Sequence, residues 1–196
     1  MNAVIEIMGK RRSIRKFDKE LLKEEDLSAI LQAGRMAPSG GNSKTTHLFV
    51  VLNSVVQERL RLLVMEEFAK MEYNDTTYKS LVHSIEASKK GTYKYDYEAP
   101  VLIVAANKKN YGNALADTAC VLENMMLAAT SIGVASCWIN QLHWLDEKQS
   151  IRSELKKYGL SEDLTICGGL VLGYSDLLES LHGLNKEEGN PVFYIR

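Results

Sequence analysis

One domain over residues 1–196, of the α+β class or a mixed three-layer α/β arrangement, is the architecture this sequence predicts. Three observations carry that expectation. Apolar residues recur at helical spacing in about six segments. Four or five short β-rich runs lie between them in mixed order. No repeat, low-complexity tract or Pro/Gly/Ser linker divides the chain. A chain of 196 residues buries roughly 70% of the surface its unfolded form exposes, so one core needs no disulfide or metal staple.

In chain order, Val4, Ile5, Ile7 and Met8 predict a short opening helix that Gly9 and the basic run behind it stop. From Lys23 to Met36 the spacing of Leu27, Ile30, Leu31 and Gly34 is helical. Glu24, Glu25 and Asp26 suit its positive end, and Pro38 closes it. Thr46 to Leu52 is a β-rich run long enough for one buried strand. Ser54 and Gln57 then stand at capping-box spacing ahead of Leu60, Leu63, Val64 and Phe68, predicting a helix to about Met71. Residues 72–98 are polar, rich in Tyr and Lys, and weakly helical through Leu81, Val82 and Ile85. They are expected to form a partly mobile excursion and candidate lid, with Tyr73, Tyr78, Tyr93, Tyr95 and Tyr97 either as aromatic cover or as plain exposed loop residues. Val101 to Ala106 reads as a buried strand. Asn113 to Ile132 follows as a long apolar helix ended by Gly133, and Val134 to Ile139 as another strand. Asp146 with Gln149 is expected to cap a helix that Gly159 terminates. Leu164 to Leu172 is a strand in which Gly168 and Gly169 invite a bulge or the close approach of a backbone or ligand. The tail stays polar until Val192 to Ile195, which offers an edge strand.

Charge and composition remove several classes of function. Lys plus Arg total 24 against 25 Asp plus Glu, so no whole-surface field draws in nucleic acid or anionic lipid. Neither a nucleic-acid nor a membrane partner is expected. The apolar stretch from Ala114 to Gly133 holds Asp117, Glu123 and Asn124. An Asp at a bilayer centre costs about 2.5 to 3.5 kcal/mol, which favours a core or interface helix. Cys120, Cys137 and Cys167 are odd in number and set among apolar residues, so buried reduced thiols and a cytoplasmic location are expected. The N-terminus places an acid before its basic residues, the reverse of a secretory leader. No zinc, P-loop, nucleophile-elbow or dinucleotide fingerprint is present, and His47, His83, His143 and His182 lack ligand-like spacing.

Chemistry concentrates in three places. Lys10 to Lys16 carries five basic residues in seven positions around Ser13, a set able to grip a phosphate, since Arg presents a planar fork of donors and Ser a short directional one. In an extended segment Arg11, Ser13 and Arg15 share one side while Arg12 and Ile14 face the other. A solvated basic turn is the plainer alternative. Ala37-Pro38-Ser39-Gly40-Gly41-Asn42 ends a helix with little side-chain bulk, so backbone and the Asn amide can approach a flat heteroaromatic ligand, or the segment is a plain loop. Ser136 to Asn140 ends a strand after the long helix and is otherwise an ordinary buried strand.

In this order and spacing the three features resemble the FMN-dependent nitroreductase family. An opening helix followed by R-R-S-x-R-x-F, a helix ending A-P-S-x-x-N and a strand is similar to that family's N-terminal half. The long helix ADTACVLENMMLAATSIGVASCW and the closing GGLVLGYS are similar to its C-terminal half. The resemblance implies a three-layer α+β fold whose central, mostly antiparallel sheet is flanked by helices, with the long apolar helix at a homodimer interface and FMN bound between subunits. It implies Arg11, Arg12 and Ser13 on the phosphate, Arg15 nearer the pyrimidine edge of the ring, and Pro38, Ser39, Gly40 and Asn42 approaching from the partner chain. Cys137, Trp138, Ile139 and Asn140 would line the ring and its N5 edge, Gly168 and Gly169 would lie by the ribityl or phosphate, and Lys186 would complete the phosphate site. Where the family commonly has x-Q-P-W after the Asn, this chain has Ser43-Lys44-Thr45-Thr46. That change bears on pocket shape and acceptor choice, and gives Lys44 a place beside Arg15 in tuning the ring electrostatically.

The implied activity is hydride transfer from NADH or NADPH through the flavin N5 to an electron-poor small molecule, a nitroaromatic, quinone or similar acceptor, by a ping-pong cycle. The flavin carries the chemistry, so no side-chain nucleophile is needed. Two alternatives stand beside it. One is a specialised flavoenzyme of the same fold, an enone reductase, dehalogenase or dehydrogenase, which rates across an acceptor panel would reveal. The other is a non-enzymatic anion or nucleic-acid binding module using residues 10–16, which predicts a colourless protein with steeply salt-dependent binding to polyanions.

Overall fold

The structure, a computed structural model, describes residues 2–180 and 190–196. Four strands form one sheet in the order β1-β2-β4-β3: β1 (His47–Val51), β2 (Val101–Lys108), β3 (Ala135–Ile139) and β4 (Leu164–Gly173). All three strand pairings are antiparallel. The helices are α1 (Ala3–Lys10), α2 (Glu24–Arg35), α3 (Ser54–Ala69), α4 (Lys79–Lys89), α5 (Ala114–Ser131), α6 (Gln141–Trp144), α7 (Gln149–Lys156) and α8 (Leu177–Ser180). The short helix α6 has no counterpart in the sequence reading.

The sheet is the middle of three layers because its strands are apolar on both faces. Along β2, Leu102, Val104 and Ala106 face one side with α3, α4, α6 and α7, while Val101, Ile103 and Ala105 face the other with α2 and α5. Strand β4 changes faces partway. Leu164 and Ile166 point into the first core, yet Leu170 and Leu172, which an unbroken strand would put on the same side, point into the second. The register explains this: Ala105 pairs with Gly168 and Ala106 with Ile166, leaving Cys167 as an extra residue. One inserted residue reverses a strand's facing, and the expected bulge therefore stands at Cys167, next to the glycines.

Several local expectations are corrected. The N-cap of α3 is Asn53, whose side-chain oxygen accepts from Val55 and Val56 N–H, and not the Ser54–Gln57 box. Gln57 instead donates to the Val51 and Pro100 carbonyls. Asp146 caps no helix. It is buried, paired to Arg152 at 2.7 Å, and accepts from Thr165 Oγ1 and Ile166 N–H. Residues 72–98 contain the full helix α4, and Tyr95 and Asp96 are buried within the first core, Asp96 held by both Nε and Nη2 of Arg61. Of the five tyrosines Tyr95 is buried, Tyr93 and Tyr97 are half-buried against the same core, and Tyr73 and Tyr78 are exposed. Cys120 is exposed on α5, unlike Cys137 and Cys167. Val192 to Ile195 pair with no strand among the described residues and stand exposed. No helix among the described residues is long and apolar enough to cross a membrane.

Candidate functional site

The basic segment becomes a site because it is laid on the free edge of β3. Asn2 caps α1 by accepting from Val4 N–H, and the helix ends at Lys10. The chain then runs extended, and Ile14 N–H donates to Ser136 O at 2.9 Å in a parallel bridge between Ser13 and Ser136. Ile14 itself is buried, so the residues flanking it are left at the surface beside the strand. Arg12 turns back and donates to the Gly9 and Arg11 carbonyls, occupying the negative end of α1. Arg11 Nε stands 3.8 Å from Glu123 on α5, at the outer limit of an ion pair, and Arg15 donates to Ser13 O. Burial pushes the Cys137 thiol up, while Arg15, Ser13 and Arg11 around it pull the other way. Arg11, Ser13 and Arg15, the three that the alternation puts on one side, therefore share one neighbourhood around Cys137.

Beside them the end of β3 is locked by its own side chains. Trp138 Nε1 donates to Asn140 Oδ1 at 2.7 Å, and Asn140 N–H donates to Gln141 Oε1 at 3.1 Å. Ile139 and Cys137 point into the first core, Trp138 into the second. The two glycines of β4 serve this wall. A Cβ on Gly168 would lie 3.4 Å from the Trp138 ring, and one on Gly169 only 2.9 Å from Ile103 O. The close approach the glycines permit is thus made by the chain's own indole and backbone.

The second cluster is latched to the start of α5. Asp117 Oδ1 accepts from Gly40 N–H at 2.9 Å. Tyr111 Oη lies 3.0 Å from Asp117 Oδ2 and 3.1 Å from Gly40 O, so its single proton serves two acceptors. Ser43 Oγ reaches the same carboxylate at 3.4 Å. The turn is tight: Gly41, Asn42 and Lys44 have φ of 58°, 55° and 50°, and Ser39 Oγ accepts from Lys44 N–H. Such φ values are uncommon for non-glycine residues and hold only where neighbours over-determine them. A Cβ on Gly40 would collide with Asn113 and Tyr111 side chains at 2.3 and 2.7 Å. Pro38, Asn42 and Lys44 line a cavity of about 660 Å³ together with Arg35.

Within one chain these clusters do not meet. The loop feeds β1 and the arginines bracket β3, the two edges of the sheet, about 14 Å apart at the usual strand spacing. A larger cavity of about 850 Å³, between α2 and the edge strand β1, likewise lies away from the arginines. Lys186 lies outside the described residues. Among those described, no group of three His, Cys, Asp or Glu residues is arranged to hold a metal, and His143 is engaged with Ile166 O.

Asp117, Tyr111 and Gln141 lie outside the three clusters that the sequence marks, and Tyr93 is marked there only as possible aromatic cover. In the sequence Asp117 argues against membrane insertion, and an acid inside an apolar helix is also a signal of a buried partner. The contact between Gln141 and Tyr93 carries no sequence signal, since it joins residues 48 positions apart.

Comparison with known proteins identifies the family and the fold. The Nitroreductase family model matches residues 8–174. The crystal structure of a nitroreductase with bound FMN from Bacteroides fragilis NCTC 9343 is 37% identical, with a TM-score of 0.83, covering 100% of this chain and 98% of that one. An NADPH-flavin oxidoreductase from Vibrio harveyi is 26% identical over 90% of this chain and 67% of its own length. The FMN-dependent nitroreductase NfnB from Mycobacterium smegmatis, solved in complex with NADPH, is 20% identical with a TM-score of 0.72, covering 99% of this chain and 98% of that one, a likeness of fold.

Proposed function

We propose, from the premise that this chain belongs to the nitroreductase family, that it is an FMN-dependent oxidoreductase. It takes hydride from NADH or NADPH and passes it to an electron-poor acceptor, a nitroaromatic, quinone or similar compound, in a ping-pong order. The observation that carries this reading is the gathering of Arg11, Ser13 and Arg15 on the edge of β3 beside the Trp138–Asn140 wall.

The residues present fit FMN. Two guanidiniums and a hydroxyl suit a phosphate. The Ser136 hydroxyl beside Ser13 is buried without a hydrogen-bond partner, the kind of group a ligand satisfies. Trp138 offers flat apolar surface. FMN, when bound, supplies the ring that accepts and donates hydride, chemistry that no side chain here provides. Arg11 and Ser13 bind the phosphate, with Arg12 shaping the turn that presents them. Arg15 sets a fixed positive charge where negative charge develops on reduction, in surroundings of low dielectric. Trp138 and Asn140 orient the ring and keep water from one face.

The other half of the pocket comes from a second copy. The uncovered apolar helix α1 and the separation of the Ser39–Asn42 loop from the arginines support a homodimer, in which that loop and Lys44 approach the partner's flavin. Ser43-Lys44-Thr45-Thr46 then shapes the acceptor side with a cation in place of a neutral amide and without an aromatic wall. A cytoplasmic site of action accords with the reduced thiols.

The test is direct. Purified protein is expected to show the two-band visible spectrum of an oxidised flavin, to release stoichiometric FMN on denaturation, identified by mass, and to oxidise NADH or NADPH when an acceptor is supplied. Colourless protein that fails to take up added FMN overturns the reading.

A further inference from the structure

Segment 72–98 reaches the candidate site through one line of hydrogen bonds. Ser84 Oγ on α4 donates to Ser80 O at 2.9 Å and so accepts from Tyr93 Oη at 2.7 Å. Tyr93 Oη has then spent its only proton and accepts from Gln141 Nε2 at 2.7 Å. This fixes the Gln141 amide with its Oε1 toward Asn140, whose N–H it accepts at 3.1 Å. Asn140 in turn holds the Trp138 indole. The line ends at the corner where β3 turns into α6, with Asn140 at φ −116° and ψ 0°.

Tyr93 is well placed to act as the anchor. Its ring is met edge-on by Phe68, with centroids 5.9 Å apart, and by His83 at 6.5 Å, so the hydroxyl has a fixed address. Burial pushes the phenol above its ordinary range, more than its bonds to Ser84 and Gln141 lower it, and the proton that orders the line stays in place. In a partly desolvated setting successive hydrogen bonds polarise one another, so loss of one member loosens those beyond it.

We propose that Tyr93 is a positioning residue for the flavin-facing wall, acting through Gln141 to hold the Asn140 corner and with it the Trp138 ring. The proposal rests on the flavin reading of the site. Nothing in it requires residues 72–98 to open or close; α4 works as a fixed abutment.

Tyr93→Phe keeps the ring packing and removes only the hydroxyl; Gln141→Met keeps length and removes the amide. In protein loaded with FMN, each variant is expected to raise the FMN dissociation constant about fivefold, the equivalent of one net hydrogen bond, and to shift the visible band of the bound flavin. The double variant is expected to lose no more than either single one, because both cut the same line. Exchange of the Asn140 amide hydrogen in the flavin-free protein is expected to quicken in Tyr93→Phe. Additive losses in the double variant overturn the proposal. So do variants that melt earlier yet bind FMN with wild-type affinity and spectrum, which marks Tyr93 as structural alone. Wild-type protein that takes up no FMN overturns the flavin reading and this proposal together, whereas FMN-binding wild type with indistinguishable variants overturns the line of bonds alone.

Discussion

Arg15 carries the site's electrostatics through its own charge, which its surroundings keep in place. Burial works against its cation, but Cys137 and a hydrogen bond to Tyr97 outweigh that and hold the guanidinium above its ordinary range. The position is therefore a permanent positive charge. Tyr97 and Glu98 are themselves held at φ of 52° and 55°, a strained turn whose Glu98 N–H donates to the buried Asp96 that Arg61 pins. Arg15→Ala removes a charge from beside the ring, and the midpoint potential of bound FMN is expected to fall by about 30 mV, roughly 1.4 kcal/mol in a two-electron couple. Dye-equilibrated reduction of the FMN-loaded variant reads this, and an unchanged potential removes Arg15 from that role.

Among the elements, β4 decides most. Its bulge at Cys167 lets one strand feed both cores, and its two glycines let β2 and Trp138 come close. The two positions differ in what a methyl group would meet. At Gly169 it meets the Ile103 carbonyl oxygen, part of the central strand and unable to move without the sheet. At Gly168 its nearest neighbour is Leu122 Cδ1 at 3.2 Å, a side-chain end able to shift. Gly169→Ala is therefore expected to cost about 1 to 3 kcal/mol and Gly168→Ala less, measured as urea midpoints at constant slope. Equal midpoints for the two variants contradict the backbone explanation.

For the whole molecule, the unpaired surface is the informative part. Helix α1 buries none of its residues, although Val4 and Ile5 are 58% and 56% exposed, and it packs on α5, where Cys120 also faces outward. An apolar helix left bare on a single chain is the mark of a contact surface. The protein is expected to sediment as a dimer, and Val4→Glu combined with Ile5→Glu to shift it toward monomer with a parallel loss of FMN. Wild-type protein that is monomeric across a wide concentration range contradicts both the interface and the shared site.

Local pattern was enough to find β1 to β4 and the long helices, because apolar period and end signals act within a few residues of each other. It was enough, too, to find the arginine segment, the Ser39–Asn42 loop and the end of β3 as three chemical clusters. It misjudged the caps of α3 and α7 and did not foresee the burial of Tyr95 and Asp96, because Asn53, Asp146 and Asp96 take partners that pattern alone does not reveal. Only the tertiary structure joined Arg11, Ser13 and Arg15 to Cys137, latched Gly40 to Asp117, and ran a line of hydrogen bonds from Ser84 to Asn140. The physical reason is one of range: periodicity and capping are local, whereas a hydrogen bond or a buried charge is satisfied by whatever group the folded chain brings within about 3 Å.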